Sequence, residues 1–262
     1  MKISVIIPSY KPGEYLWECL YSLVLQDFSK EEFEILIILN GCCEPYLSRI
    51  KEFVATEMEG FNVSIYQTDK SGVSNARNMG LDKTIGEWIA FIDDDDKISS
   101  TYLKELYKVS SPDAISISNV KCFNESNEML FDDYLSNSYQ KNQEKERVHL
   151  FDIRSFMSTC WCKLIPANIL KNRQFDTRFT NAEDSLFMFL ISDRIEKFTL
   201  ANSDAMYYRR VRSDSASRNK TKTFFLKNKI RVIIQFFRIY FSSPFKYNFL
   251  FFLTRIAATL LK

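Results

Sequence analysis

Four consecutive aspartates, Asp93, Asp94, Asp95 and Asp96, follow the apolar run EWIAFI. Carboxylates crowded at the end of a buried segment repel one another and raise one another's pKa. A divalent cation removes that repulsion, and hard oxygen ligands suit Mg2+ or Mn2+. The plainer alternative is a solvated acidic turn capping a helix that begins near Ser99. The apolar run speaks against it, because it sets the four carboxylates at the end of a buried strand. A second acidic pair, Glu183-Asp184, reads either as a general base or as an acidic helix N-terminus favoured by the macrodipole. The chain has one histidine, His149. A histidine-rich metal site or a Ser-His-Asp site would rest on that single residue, so carboxylates and a hard metal ion are the chemistry to expect.

The elements that must position these groups read as an α/β pattern. Residues 3–8, 33–40 and 87–93 are short apolar, β-rich runs typical of buried strands, and 62–68 reads as a further strand. Residues 14–27 place Leu16, Leu20 and Leu23 at helical spacing, a helix is expected over 45–57, and GVSNARNMGLDKT reads as a helix opening on a serine. Strands alternating with helices imply βαβ crossovers and a mainly parallel sheet flanked by helices, with ligands beyond the carboxyl ends of the strands. Pro8, Ser9, Tyr10, Asn40, Gly41 and the four aspartates all lie at such ends and should converge. Residues 124–147 are polar and read as a mobile loop or insertion. A helix is expected around 183–193, and residues 205–218 read as a short strand running into a basic, serine-rich loop. No internal repeat is visible.

Length and composition bound the class. The 262 residues are 46% hydrophobic, 15% aromatic and 26% charged, which suits an enzyme-sized globular unit and excludes a disordered tail, a collagen or a small disulfide scaffold. Six cysteines without CxxC spacing read as reduced thiols of a cytoplasmic protein, and the lone C-x-C of Cys160 and Cys162 is no zinc motif. The apolar start is too short for a signal peptide. No uncharged apolar run reaches the ~18 residues that span a bilayer. The net charge of +2 hides an asymmetry. No Asp or Glu follows Asp214, residues 215–262 carry ten basic groups, and the remaining 25 basic and 33 acidic groups give residues 1–214 a net charge of −8.

Four blocks in order resemble the family 2 glycosyltransferases of the GT-A fold: SVIIPSYKPGEYLWECLYSLVLQ, KSGVSNARNMGLDKTIGEWIAFIDDDD, WCKLIPANIL and RFTNAEDSLF. The resemblance covers about residues 3–215 and implies the bacterial surface-polysaccharide type. It divides the chain into a GT-A catalytic domain over 1–217, with a nucleotide-binding half over about 1–120 and an acceptor half over about 121–217, and a tail over 218–262. It implies an inverting, metal-dependent transfer of a hexosyl or N-acetylhexosaminyl group from a nucleotide-sugar, by family frequency a UDP-sugar, to a glycan or lipid-linked glycan hydroxyl. Asp93 and Asp95 take the DxD positions for Mn2+ or Mg2+, with Asp93 and Asp94 also beside the donor. Asp184 is the candidate base and Glu183 the alternative. Pro8, Ser9 and Tyr10 would line the nucleotide pocket, with Tyr10 either stacking on the base or simply packing. Arg77 could bind a phosphate or pair with one of the aspartates. Arg209 and Arg212 sit where relatives place basic residues over the diphosphate, with Arg210 between them, and the alternative there is a basic face toward a membrane. Trp161 reads as an acceptor platform or as a core residue. One departure stands out: where many members carry two acidic residues after the second strand, this chain has Leu39-Asn40, so the acidic contact to the base is either missing or replaced by Asn40.

The tail holds nine of the 23 phenylalanines. Lys220, Lys227, Arg231 and Arg238 share one helical stripe, and Leu226, Ile230, Ile233, Ile234, Phe237 and Phe241 form the apolar side. Ser242-Ser243-Pro244 should break this helix, and a second apolar segment follows. Such a helix suits peripheral contact with an anionic membrane at its cytoplasmic face, or packs back on the catalytic domain. Nucleic acid is not an expected partner, since the acidic body repels phosphates. Two other classes remain open: a sugar nucleotidyltransferase, whose glycine-rich N-terminal loop is missing from IIPSYKPGEY, and an inactive donor-binding partner subunit, against which the retained Asp93, Asp95 and Asp184 speak.

Overall fold

The computed structural model describes residues 1–130, 133–212 and 222–261, with only the backbone described over 222–226. Three βα units open the chain: β1 (Ile3–Ser9), α1 (Tyr15–Val24), β2 (Phe33–Asn40), α2 (Tyr46–Glu57), β3 (Asn62–Thr68) and α3 (Val73–Lys83). Then come β4 (Trp88–Phe91), β5 (Lys97–Ile98), α4 (Tyr102–Lys108), β6 (Ala114–Ile117), β7 (Asn119–Asn124) and α5 (Tyr134–Asn142). The remaining elements are β8 (Lys163–Pro166), α6 (Ala167–Leu170), α7 (Glu183–Ile191), β9 (Lys197–Leu200), β10 (Met206–Val211), α8 (Lys222–Ser242) and α9 (Phe249–Leu261).

A seven-stranded sheet runs β3-β2-β1-β4-β8-β6-β9. It is mostly parallel, with β8 antiparallel to both of its neighbours. All residues of β1 and β2 are buried, which is why both read as unbroken apolar runs. Ser9 pairs with Leu39 and Asn40 with Thr68, so the first three strands end at one level. Helix α3 lies close on β1 because Gly80 has no side chain: a Cβ there would meet Ile6 Cγ2 at 2.5 Å. That contact holds the face of α3 carrying Arg77 against the sheet. A second sheet, β5-β10-β7, stands beside the end of β4.

Two expectations need correction. Residues 124–147 do not form one loop. Asp133 accepts from the backbone N–H groups of Leu135 (2.8 Å) and Ser136 (3.1 Å) and so caps α5, which buries Leu135, Ser136, Tyr139 and Asn142. A strong N-cap and one buried face suffice for a helix that composition alone makes look like a linker. Strand β4 is also shorter than expected. Ile92 N–H still donates to Ile6 O, but Asp96 N–H donates to Asp93 O at 3.1 Å, so the aspartates form a tight turn.

The expected break at residues 242–244 is present, and α8 and α9 pack on each other and on α7. The Phe189 ring of α7 lies 5.3 Å from Phe236, 5.2 Å from Tyr247 and 5.7 Å from Phe251. Buried Arg255 of α9 donates to Ser158 Oγ (3.0 Å) and Arg154 O (3.1 Å), and burial next to Arg154 lowers its pKa to about 10. The apolar side expected from the sequence is not the one that packs. Helix α8 buries Val232, Phe236 and Ile239, while Ile230, Ile234, Phe237 and Phe241 stay exposed. Arg218 and Lys220 lie outside the described residues, as does the serine-rich loop beyond Arg212. Phe189→Ala should destabilise the chain by about 3–5 kcal/mol, since it removes the ring on which both C-terminal helices converge. Denaturant unfolding measures the loss.

Candidate active site

The carboxyl ends of β1, β2 and β4 open on a cleft of about 840 Å³, lined among others by Pro8, Tyr10, Asn40, Arg77, Asp93 and Glu183. Its floor is set by one amide. Asn40 donates to Ser9 O (2.7 Å), and its Oδ1 accepts from Gly72 N–H (2.9 Å). The residue thus ties the end of β1 to the start of α3. Gly72, at φ 122°, precedes α3, and Ser74 Oγ is buried without a partner, so the helix does not begin on a serine cap. Gly41 must be glycine: at φ 67° an added Cβ would lie 2.5 Å from Ser71 Cβ.

Arg77, 3% exposed, lies between the two acidic blocks. It donates to Asp93 Oδ1 at 2.8 Å and to Asp184 Oδ1 at 2.6 Å. Burial alone would lower the pKa of the guanidinium, but Asp184 and Asp93 hold it well above its usual value. Of the two readings of Arg77, the ion pair is the one the structure contains, made twice over. Asp184 is fixed from its other side by Cys160 N–H, which donates to Oδ2 at 3.2 Å. Glu183 lines the cleft, and its Oε2 is buried without a partner. Burial, with Asp184 adding and Arg77 opposing, raises the Glu183 carboxyl to about 7. The turn before it is strained, with Ala182 in the left-handed region at φ 65°.

The four aspartates divide into distinct environments. Asp93, Asp94 and Asp95 line the cleft and Asp96 points away from it. Burial raises Asp93 against the pull of Arg77. Asp94 is raised to about 7 by burial, although Ser9 Oγ donates to it at 2.6 Å. Asp95 pairs with Arg212 Nε at 2.9 Å. Asp96 accepts from Tyr207 OH and from Arg210 N–H, both at 2.7 Å, and burial holds it well above the usual carboxylate range. Asp96 is therefore a brace that fastens the acidic turn to β10. Among the described residues no three His, Cys, Asp or Glu side chains form a ready metal cage. An open set of one or two carboxylates, completed by substrate phosphates, is the usual way Mg2+ is held, and Asp93 and Asp95 offer such a set.

Strand alternation sorts the arginines of β10 and the one that follows it. Arg212 reaches the cleft. Arg210 is buried, donates from Nε to Asp95 O at 2.9 Å and lies over the Tyr15 and Phe123 rings. Arg209 points to the opposite face, 3.6 Å from Asp133, and does not line the cleft. Ser9 is buried and holds Asp94 instead of lining the pocket. Trp161 is 7% exposed and stacks on Tyr207 at 4.9 Å, which makes it part of the core and no open platform. Tyr10 is 51% exposed at the cleft, with Lys11 over its ring.

Sequence reasoning missed Lys163. Fully buried, it donates to Thr159 O (2.9 Å), Thr159 Oγ1 (3.0 Å) and Trp161 O (3.0 Å). These bonds shape the turn that presents Cys160 N–H to Asp184. The available signal was a lysine inside the apolar block WCKLIP.

A family model described as glycosyl transferase family 2 matches residues 4–173. Glycosyltransferase GlyA of Streptococcus pneumoniae is 29% identical over 229 residues, 83% of this chain and 32% of that protein. The poly(ribitol-phosphate) beta-N-acetylglucosaminyltransferase TarS of Staphylococcus aureus is 36% identical over 105 residues, 40% of this chain and 18% of that protein. This chain thus spans no more than about a third of either relative. The crystal structure of S. aureus TarS 1–349 in complex with UDP-GlcNAc superposes with a TM-score of 0.69 at 24% identity, covering 90% of this chain and 66% of that one. At that identity the likeness shows the fold, which is GT-A.

The raised Glu183 carboxyl has a stability consequence. It stays protonated in the folded chain between its unfolded pKa near 4.5 and about 7, where the unfolded chain ionises. Its contribution is therefore present at low pH and lost as pH rises through that window. Glu183→Gln should raise the melting temperature more at pH 8 than at pH 4, as differential scanning calorimetry would show.

Proposed function

The chain belongs to glycosyl transferase family 2, and on that footing we propose that it is an inverting, metal-dependent glycosyltransferase. It moves a sugar from a UDP-sugar to a hydroxyl of a glycan or lipid-linked glycan. The reading is carried by Arg77, which joins Asp93 on the cleft to Asp184, the neighbour of cleft-lining Glu183. The likeness to a poly(ribitol-phosphate) N-acetylglucosaminyltransferase supports a surface-polysaccharide acceptor and an N-acetylhexosaminyl or hexosyl donor.

The acceptor oxygen attacks the anomeric carbon as the bond from that carbon to the diphosphate oxygen breaks, and the hydroxyl proton passes to a carboxylate. Asp184 takes that proton. Arg77 on Oδ1 and Cys160 N–H on Oδ2 fix its rotamer, the arrangement of a base oriented by further groups. A positioned base of this kind contributes ~10²–10⁴-fold. Glu183, beside it and near its titration point at neutral pH, faces the reacting groups. Asp95, with Asp93, would hold Mn2+ or Mg2+, whose chemistry is Lewis-acid neutralisation of the charge that develops on the diphosphate. Arg212, just after β10, lines the cleft and is the arginine assigned to the diphosphate. Pro8 and Tyr10 flank the nucleotide, and Asn40 presents an amide where many relatives present an acid. The enzyme works at the cytoplasmic face of a membrane, in peripheral contact through residues 218–262.

Asp184→Asn should lower turnover by about 10²–10⁴-fold while nucleoside diphosphate titration still reports donor binding. Unchanged turnover in that variant, with loss in Glu183→Gln, would move the base to Glu183. EDTA should abolish nucleoside diphosphate release from a donor panel, and Mn2+ should restore it. Release of pyrophosphate would instead identify a nucleotidyltransferase, and silence with every donor a partner subunit.

A further inference from the structure

Helix α8 has two apolar faces, and only one is buried; from the other, the Phe237 ring still meets Phe252 of α9 edge-on at 5.0 Å. Val232, Phe236 and Ile239 are buried against the domain. At 100° per residue, the stripe of Ile230, Ile234, Phe237 and Phe241 lies about 165° around the helix from them. These four are 51%, 45%, 41% and 64% exposed. The surface does not stop at the end of α8. Phe245 is fully exposed on the connection, and α9 adds Phe249, Leu250 and Leu253, each at least 44% exposed. Large aromatic and aliphatic groups gathered on one face of a folded chain mark an interaction surface.

Charge selects the occupant. Lys227, Arg231 and Arg238 run along one flank of the α8 stripe, about 70° round the helix. Lys246 is exposed next to Phe245. No acidic residue follows Asp214, so no carboxylate of the helix pair tempers this flank. A second copy docking here by two-fold symmetry would set the same patch against itself, bringing basic flank near basic flank. A lipid surface accepts both features together, with aromatic rings at the acyl boundary and ammonium and guanidinium groups at the phosphates. Among the described residues no helix is long and apolar enough to cross a membrane, which leaves adsorption in the plane of the interface.

We propose that the outer face of α8 and α9 adsorbs to an anionic bilayer, with Ile230, Phe241, Phe245 and Phe249 entering the interface and Lys227 and Arg238 lying at the phosphates, while Arg231 stays on Arg178 O and the Phe179 ring. This deepens the membrane contact of the proposed function and rests on that reading, but adsorption itself requires no turnover. The inner contacts make the surface rigid with respect to the cleft. Phe189 and Arg255 fasten the helix pair to the base-bearing helix α7 and to residues 154–158. A lipid-borne acceptor would therefore meet the cleft in a set orientation.

Co-sedimentation of the full chain with phosphatidylcholine vesicles, with and without phosphatidylglycerol, tests the proposal. Binding is expected only to the anionic vesicles, falling as salt rises. Phe241→Ser with Phe245→Ser, at two positions that are 64% and 103% exposed, should abolish it at an unchanged melting temperature. Lys227→Gln with Arg238→Gln should weaken it about 30-fold, the loss for two interfacial basic residues. Equal binding to both vesicle types, no binding to either, or a stable dimer that the phenylalanine pair disrupts would overturn it. Vesicle binding without nucleoside diphosphate release defeats the transferase reading alone. Release to a soluble acceptor without vesicle binding defeats the surface alone.

Discussion

The buried guanidinium of Arg77 is the constraint on which the site depends. It stands between Asp93, at the end of β4, and Asp184, at the start of α7, residues 91 positions apart in the chain. Removing one partner from a buried ion triad leaves an uncompensated charge, which is far more damaging than losing an exposed pair. The cation therefore has to be delivered to a fixed place. Gly80 does so by letting α3 lie close on β1, and Asn40 does so by gripping the first turn of α3. The sheet, the helix and the two acidic blocks are one mechanical unit.

The second sheet serves the same end by a different route. Asp96 is the aspartate that faces inward, and β10 grips it through Tyr207 and Arg210. Trp161 stacks on Tyr207, and the turn containing Trp161 is shaped by Lys163 and ends in Cys160 N–H on Asp184. The acidic turn and the candidate base are thus joined twice, once directly through Arg77 and once through the aromatic stack behind them.

What could be read from the amino acids follows from the physics of each element. Strand β2 matches residue for residue because a fully covered parallel strand must be apolar along its length, and edge strand β3 matches in extent although none of its residues is fully buried. Helix α5 was hidden because its stability comes from a cap and a few buried side chains in an otherwise polar stretch. Period-two alternation separates Arg212 from Arg209, but its phase depends on the pairing of β10 with β7, which composition does not encode. The acidic turn was legible as a group. The division of labour within it was not, since only the fold decides that Asp94 meets Ser9 and Asp96 meets Tyr207. The tail was legible as amphipathic, yet the residues that pack on the domain are not those the wheel singled out.

Arg255 has a consequence for the order in which the molecule matures. Translation is vectorial, and folding units tend to form from the N-terminus as they emerge. Strands β1 to β4 and the wall of the cleft that they form can assemble while the ribosome is still working downstream. The segment that seats Asp184 cannot be finished then, because Ser158 waits for a guanidinium 97 residues further along. A nascent chain would thus acquire the sheet side of its cleft first and a fully braced Asp184 last.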